Sequence, residues 1–234
     1  MKNALITAAT KGIGRSIAIA FAKEGINLAI CSRHGDDLDA FRDELAVINP
    51  TIKVFTAVAD CSIKQEVLRF SGSAEQELGF ISIIVNNVAA FEQSAILDDN
   101  EDTFERLINT NLAPAYHLYR YFGKTMIAAH EGHIFNICSV VSLQPDAGAG
   151  SYSVTKFALL GLTKVMKLEM RPHGVKVTAV IPGSTFTNSW ADIEVDKNKM
   201  VLPEDIASAM VTIYKMSPGA NVDELIIKPL YGQL

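Results

Sequence analysis

The chain has few of the features that mark secreted or membrane-bound proteins. Only three of its 234 residues are cysteines, Cys31, Cys61 and Cys138, and no two form a CxxC pair. So few and widely spaced cysteines are typical of a cytosolic protein with reduced thiols. We expect them to be small core residues and not nucleophiles. No run reaches the roughly 18 apolar residues of a membrane span, and Lys11 and Gly12 interrupt the N-terminal apolar run too early for a signal peptide. We therefore expect a cytoplasmic protein with no membrane partner.

A surplus of positive charge is also missing. The formal net charge is −5 at pH 7, so no electrostatic attraction favours nucleic acid or anionic lipid as a partner. Apolar residues make up 49% of the chain and charged residues 20%, a balance that supports a buried core and excludes a disordered chain. We find no repeat or linker, and we expect one soluble domain over residues 1–234.

Short β-branched runs alternate with longer amphipathic runs along the whole chain. Seven runs are predicted strands: 3–8, 27–31, 52–58, 81–86, 133–138, 175–180 and 223–228. Most are continuously apolar, which is typical of strands covered on both faces. With about six helices between them, they predict an α/β fold: a single Rossmann-like, doubly wound domain with a seven-stranded parallel sheet and helices on both faces.

Local signals indicate where helices begin and where ligands bind. Asp36 is a candidate N-cap, Ser62 with Gln65 a candidate capping box for a helix ending near Gly79, and Pro203 a candidate first-turn proline. The long irregular stretches follow predicted strands, whose carboxyl ends bind ligands in open α/β sheets. These stretches are residues 87–101, 139–151 and 184–202.

The first predicted strand runs into a turn of small residues, Thr7-Ala8-Ala9-Thr10-Lys11-Gly12-Ile13-Gly14, and then into a helix from Arg15 to Lys23. Glycines in such a turn let a ligand approach the backbone, and the free N–H groups of a helix N-terminus attract anions. The turn is therefore a candidate phosphate site. The spacing is not GxGxxG, so a purely structural turn is the alternative.

A second group of residues follows the fifth predicted strand: Ser139, then Tyr152 thirteen residues on, then Lys156 four further. Residues at i and i+4 share a helix face, so the ammonium can lie beside the phenol. A neighbouring cation lowers the pKa of a phenol from about 10 towards the working pH, as a general acid requires. The alternative is an exposed helix start with a chance tyrosine–lysine pair.

Further motifs resemble the short-chain dehydrogenase/reductase family over essentially the whole chain. Asn86-Asn87-Val88-Ala89 is similar to the family's Asn-Asn-Ala-Gly segment, and Asn109-Thr110-Asn111 to the segment with its helix-borne asparagine. Asp60 resembles the adenine-side aspartate, and Pro182-Gly183 with Thr187 the Pro-Gly-x-x-x-Thr segment. The motifs occur in the family's order, each on the expected element.

The resemblance implies hydride and proton transfer between NAD(P)H and a small-molecule carbonyl or alcohol. Tyr152 would protonate the carbonyl oxygen, and Ser139 would donate a hydrogen bond to it. Lys156 would contact the nicotinamide ribose, while Asn111 would hold a water that links this lysine to solvent. The implied cofactor-binding residues are Thr7, Lys11, Gly12, Ile13, Gly14, Ser32, Arg33, Asp60, Asn87, Ala89, Tyr152, Lys156, Pro182, Gly183, Thr185 and Thr187.

Two positions depart from the family pattern, since Ala8 and Ala89 stand where the family has glycines. If either position needs a positive φ, alanine there costs roughly 1 kcal/mol or more. Neither change removes a chemical group, so we expect cofactor binding to survive.

The end of the second predicted strand indicates which cofactor binds. Cys31-Ser32-Arg33 lacks the acidic residue that would hold the adenosine 2′-hydroxyl of NAD. Ser32, Arg33 and Lys11 would instead receive a 2′-phosphate, unless the two cations merely flank loops. The predicted cofactor is NADP (NADPH).

Two other patterns bear on metals and on assembly. His130-Glu131-Gly132-His133 has the spacing of a metal site, but no third ligand is near in sequence, so no metal is expected. Helix 152–170 is apolar nearly all round, and such helices are usually buried twice. Since family members commonly associate through this helix, we expect a homodimer or homotetramer.

The substrate segment, 184–202, is short and contains the single tryptophan, Trp190. Trp190 is either a lid over an aromatic or planar substrate or a partly buried surface anchor. Residues 187–190, the segment 223–229 and the proline-led last helix resemble bacterial sepiapterin reductase-like members, which implies a pteridine-like or aromatic carbonyl substrate. The alternatives are a 3-oxoacyl-[acyl-carrier-protein] reductase, a reductase of hydroxy acids, sugars or other ketones, and an NADP-binding regulator without turnover.

Overall fold

The structure, a computed structural model, describes residues 1–190 and 195–232. Within them one sheet contains β1 (Asn3–Ile6), β2 (Asn27–Ser32), β3 (Val54–Val58), β4 (Ile83–Asn86), β5 (His133–Ile137), β6 (Lys176–Pro182) and β7 (Glu224–Ile227). The strand order is β3-β2-β1-β4-β5-β6-β7, and every neighbouring pair is parallel. The predicted seven-stranded parallel sheet is confirmed.

Seven α-helices lie in the same described ranges. They are α1 (Gly12–Lys23), α2 (Gly35–Ile48), α3 (Lys64–Leu78), α4 (Thr103–Asn111), α5 (Ala113–Ala129), α6 (Gly150–Met170) and α7 (Pro203–Tyr214). The sequence predicted about six. The additional break falls at Leu112, between α4 and α5, where Pro114 in the first turn of α5 has no N–H to continue the preceding helix.

The helices cover both faces of the sheet. Successive strand residues point to opposite faces, so Ile6 packs in a core with α1, α2 and α7, while Leu5 packs in a second core with α3, α5 and α6. All four residues of β1 are buried, whereas the outer strands β3 and β7 are partly exposed. The doubly wound architecture is therefore confirmed.

Two of the predicted helix starts are wrong, and local hydrogen bonds explain one of them. Asp36 lies within the first turn of α2, whose N-cap is His34. Ser62 does not cap α3, because its hydroxyl donates instead to Asp60 Oδ1 at 2.7 Å, and α3 begins after Ile63. The predicted start of α7 at Pro203 is confirmed.

The three long loops follow the carboxyl ends of β4, β5 and β6, as expected; the predicted substrate segment 184–202 is described except for residues 191–194. Strand β1 lies between β2 and β4, so the chain reverses its direction of winding there and opens a crevice above the strand ends. No helix in the described part of the chain is long and apolar enough to cross a membrane.

Candidate active site

The turn between β1 and α1 forms the floor of the candidate site. Gly12 has a φ of +54°, and a Cβ there would lie 3.3 Å from Thr187 Cγ2. Lys11 is the N-cap of α1, and its side chain makes no capping hydrogen bond. The Lys11 side chain therefore does not occupy the N–H groups of the first turn, such as that of Ile13. The turn therefore has the form of an anion site at a helix N-terminus.

Asn87 clamps this turn from the end of β4. Its Nδ2 donates to Thr7 O (2.9 Å) and to Ala8 O (3.0 Å), while Thr7 Oγ1 accepts from the N–H groups of Asn87 (2.9 Å) and Val88 (3.0 Å). A Cβ at Gly14 would lie 2.4 Å from Asn87 Nδ2. Thr7 and Asn87, which were predicted to bind the cofactor, thus use their side chains to hold the turn. Gly14 has no Cβ and so leaves room for the Asn87 amide.

The two alanines that replace family glycines differ in conformation. Ala8 has a φ of +51°, whereas Ala89 is not among the residues of positive φ. A non-glycine residue in the left-handed region is strained by roughly 1 kcal/mol. Only the first departure therefore carries the backbone strain considered from the sequence.

Polar groups at the ends of β2 and β3 form the predicted adenosine side. Ser32 Oγ accepts a hydrogen bond from Thr10 Oγ1 (3.2 Å), and Arg33 is exposed. The hydrogen bond from Ser62 and, to a smaller extent, the charge of Arg33 hold the pKa of the Asp60 carboxyl below its usual value. The structure therefore brings these predicted residues to one edge of the crevice.

Lys11 has an acidic neighbour that the sequence analysis did not consider. Its Nζ lies 3.0 Å from Asp37 Oδ2 in the first turn of α2, with 59% of the lysine side chain exposed. Such an exposed pair is weak, so the charge of Lys11 stays available to an incoming anion.

Tyr152 and Lys156 lie on adjacent turns of α6, and the lysine is buried. Lys156 is 1% exposed, and its Nζ donates to Ile137 O (3.0 Å) at the end of β5. The same nitrogen lies 5.7 Å from the centroid of the Tyr152 ring. Because an ammonium removed from water needs polar partners, the β5 carbonyl determines where this charge lies relative to the phenol.

Ser139 lies two residues after the end of β5 and is the N-cap of a single 3-10 turn, Val140–Ser142. Its N–H donates to Ser142 Oγ (3.1 Å), and the N–H of Ser142 donates to Ser139 O (2.8 Å). Ser139 Oγ accepts from Val141 N (3.4 Å). A hydroxyl that accepts from the backbone keeps its own hydrogen to donate to another oxygen.

Asn111, the last residue of α4, joins loop 87–101 to α6. Its Oδ1 accepts from Ala90 N (2.7 Å), and its Nδ2 donates to Ala90 O (3.0 Å) and to Thr155 Oγ1 (3.0 Å). Both amide hydrogens thus have protein partners. A water at Asn111, as the family resemblance implies, would be held by the oxygen atoms of this residue.

The segment after β6 reaches back to the phosphate turn. Thr185 Oγ1 donates to Gly183 O (2.8 Å), directly after β6 ends at Pro182. Thr187 lies against Gly12, since a Cβ added to this glycine would lie 3.3 Å from Thr187 Cγ2. Of this predicted group, the structure therefore brings Thr187 to the β1–α1 turn.

Phe91 contacts the candidate site, and the sequence analysis did not predict this contact. Its ring lies edge-on to the Tyr152 ring, with centroids 5.0 Å apart and planes at 85°, and the residue is 60% exposed. Trp190, the predicted substrate residue, instead lines a cavity with Gly12 and Arg15 of α1. A phenylalanine in an irregular loop has no distinguishing sequence pattern, so only the tertiary contact identifies it.

The spaced histidines do not converge. His130 Nδ1 lies 3.3 Å from His173 O, whereas His133 is buried with Nε2 2.9 Å from Thr178 Oγ1. Burial lowers the pKa of His133 to about 3. Within residues 1–190 and 195–232, no three His, Cys, Asp or Glu side chains are grouped to hold a metal ion. The three cysteines are free and buried.

Comparison with known proteins gives the family. The family model of short chain dehydrogenases matches residues 2–198. The chain is 32% identical to a sepiapterin reductase of Chlorobaculum tepidum, over 98% of this chain and 97% of that protein. It is 29% identical to an uncharacterized oxidoreductase of Staphylococcus aureus, again over 98% and 97%. An alcohol dehydrogenase from the archaeon Thermococcus sibiricus, solved with 5-hydroxy-NADP, is similar with a TM-score of 0.92 and 27% identity, over 100% of this chain and 99% of that one. The chain belongs to the short-chain dehydrogenase/reductase family of oxidoreductases.

Proposed function

We propose that the protein is an NADPH-dependent reductase of a small carbonyl compound, pteridine-like or aromatic, with Tyr152 as the general acid. The observation that carries this proposal is the buried ammonium of Lys156, hydrogen-bonded to Ile137 O and placed beside the Tyr152 ring. A buried ammonium needs polar partners, and a positive charge beside a phenol can stabilise the phenolate that proton transfer leaves. The similarity to a sepiapterin reductase supports the substrate class.

The residues at the crevice fit NADPH. The first turn of α1 offers N–H groups to the pyrophosphate, and the exposed Arg33 with Ser32 and Lys11 offers donors and positive charge to a 2′-phosphate. No acidic residue stands at the end of β2 to repel it. The similar alcohol dehydrogenase, which was solved with 5-hydroxy-NADP, supports the same cofactor. When bound, NADPH supplies the hydride.

The side chains around Tyr152 divide the proton chemistry among them. Ser139 donates its hydroxyl hydrogen to the carbonyl oxygen and holds that oxygen beside the phenol. As the carbonyl carbon is reduced, the Tyr152 hydroxyl transfers its proton to this oxygen, which gives the alcohol and leaves a phenolate. The positive charge of Lys156 stabilises that phenolate.

The decisive experiment combines a carbonyl panel with Tyr152→Phe. The panel contains a pteridine ketone, an aryl ketone and an acetoacetyl thioester, and NADPH oxidation is followed with each. Tyr152→Phe keeps the ring that contacts Phe91 but removes the proton, so we expect kcat to fall by about 10²–10⁴-fold with NADPH affinity nearly unchanged. Tyr231→Phe, at a 75% exposed tyrosine, is the matched control.

Three results would contradict the proposal in different ways. Near-normal turnover by Tyr152→Phe would show that Tyr152 is not the general acid. A preference for the thioester would favour a 3-oxoacyl reductase. Tight NADPH binding without turnover of any carbonyl would favour an NADP-binding regulator.

We also propose that two copies associate through α6. One side of this helix is buried against the sheet, while on its outer side Val154 is 42%, Phe157 42%, Val165 51% and Leu168 60% exposed. A second copy would remove this apolar surface from water. Analytical ultracentrifugation that finds only monomers at micromolar concentration would contradict the contact.

A further inference from the structure

A closed series of contacts fixes Phe91 relative to Tyr152. Asn111 holds both backbone groups of Ala90, the residue before Phe91. Asn111 Nδ2 also donates to Thr155 Oγ1 (3.0 Å), which donates to Tyr152 O (2.8 Å). The rings of Phe91 and Tyr152 complete the series. The position of the Phe91 ring is therefore set from α6 itself.

The same loop is attached to α6 a second time, beyond Phe91. The N–H of Gly150 donates to Ser94 O (2.9 Å), and the Ser151 hydroxyl contacts the Asp99 carboxylate. A Cβ at Gly150 would lie 2.6 Å from Ile96 Cγ1, so the loop and the helix start are in close contact. Phe91 therefore lies between two points at which the loop is attached to the rest of the structure.

Despite this support, Phe91 exposes 60% of its surface. Its ring edge-on to Tyr152 is a favourable aromatic geometry, which leaves much of the Phe91 ring open beside the phenol. A substrate whose carbonyl oxygen lies at the Tyr152 hydroxyl is bound beside a phenol that the Phe91 ring contacts, so its substituent can reach the open part of the Phe91 ring. Burial of exposed apolar surface by a ligand is favourable.

We propose that Phe91 is a specificity-determining residue, whose ring contacts the ring of the substrate and selects a planar aromatic ketone over a saturated one of similar size. The inference rests on the proposed reductase function. It assigns to Phe91 the substrate contact that the sequence alone suggested for Trp190, since the described contacts place Trp190 on the α1 side of the crevice.

The test uses acetophenone and cyclohexyl methyl ketone, which have similar volume and differ in the aromatic ring. We expect the wild type to favour acetophenone in kcat/KM. Phe91→Leu should reduce that preference by about 3- to 10-fold, mainly through a higher KM for acetophenone. Phe91→Tyr keeps an aromatic ring and should keep the preference. Phe80 is a partly exposed phenylalanine just before β4, at the amino ends of the strands. Phe80→Leu should leave kcat/KM for both ketones unchanged.

Each adverse result has a separate meaning. If Phe91→Leu lowers kcat/KM equally for both ketones, Phe91 only supports Tyr152 and the inference is wrong. A wild type that reduces ketones without an aromatic preference also overturns it and leaves the reductase function standing. A wild type that reduces no carbonyl compound overturns both. If circular dichroism shows that Phe91→Leu is unfolded, Phe91→Met applies the same comparison.

Discussion

The half of the site that we propose for catalysis and the half that we propose for the adenosine are held in different ways. Lys156 is 1% exposed and bonded to a strand carbonyl, whereas the Lys11 side chain is 59% exposed and forms a surface ion pair with Asp37. Proton transfer needs donors fixed at hydrogen-bond distance from the reacting oxygen. Attraction of a phosphate needs only charge of the right sign nearby, because Coulomb forces act over several ångströms. The difference shows which half depends on the fold and which depends on surface composition.

The origin of the two halves in the fold explains this difference. The proposed catalytic residues follow β5 or lie on α4 and α6, whose side chains bond to one another and to buried backbone. The proposed adenosine residues lie at the surface of the β1–α1 turn (Lys11) and at the ends of β2 and β3, where Arg33 is exposed and Asp60 is half-buried. We therefore expect substitutions in the first half to reduce catalysis and stability together, and those in the second to change cofactor affinity alone.

The largest expected effect is that of Lys156→Met. The change removes the charge beside Tyr152 and leaves Ile137 O without this donor. We expect kcat to fall by about 10²–10⁴-fold and the free energy of unfolding to fall by about 1–3 kcal/mol. Enzyme assays and urea unfolding measure the two quantities.

Lys164→Met, on the same helix, is the matched control. Its ammonium is 3.5 Å from Glu224 and its side chain is 59% exposed, so both quantities should change little. If Lys156→Met kept normal turnover, the contrast between the halves would be lost.

Arg33→Ala tests the adenosine half and should have an intermediate effect. Loss of a donor to a charged phosphate should weaken NADPH binding by about 1.5–3 kcal/mol, which is roughly 10- to 150-fold in Kd. NADH lacks this phosphate, so its affinity and the unfolding free energy should stay constant. Calorimetry with both cofactors measures the difference, and Arg42→Ala on α2, whose arginine pairs with Asp39, is the control. Equal losses for both cofactors would mean that Arg33 supports the loop.

The smallest expected effect concerns Ala8, in the turn that joins the two halves. Since its φ is +51°, Ala8→Gly relieves strain and should raise the free energy of unfolding by about 0.5–1 kcal/mol. Ala89→Gly is the matched comparison without a positive φ, and it should leave stability unchanged or lower it. Thermal unfolding of both variants decides the point; an equal gain in both would show that φ is not the cause.

Local patterns in the sequence were sufficient for the architecture and for the principal chemical groups. The seven strands, the β1–α1 turn and the proximity of Tyr152 to Lys156 all depend on residues within a few positions of each other, and these were predicted. Predictions from local sequence were wrong where a side chain could form a hydrogen bond with more than one partner. Ser62 could cap α3, but its hydroxyl binds Asp60.

The sequence by itself determined the doubly wound sheet, because hydrophobic periodicity and strand length leave few ways to bury these runs. It also determined that a serine, a tyrosine and a lysine follow the fifth strand. Tertiary structure alone decided that Phe91 lies against Tyr152 and that Asn87 clamps the phosphate turn. Such contacts join residues about 60 to 80 positions apart. Their geometry arises from the packing of whole elements, which no local pattern of residues records.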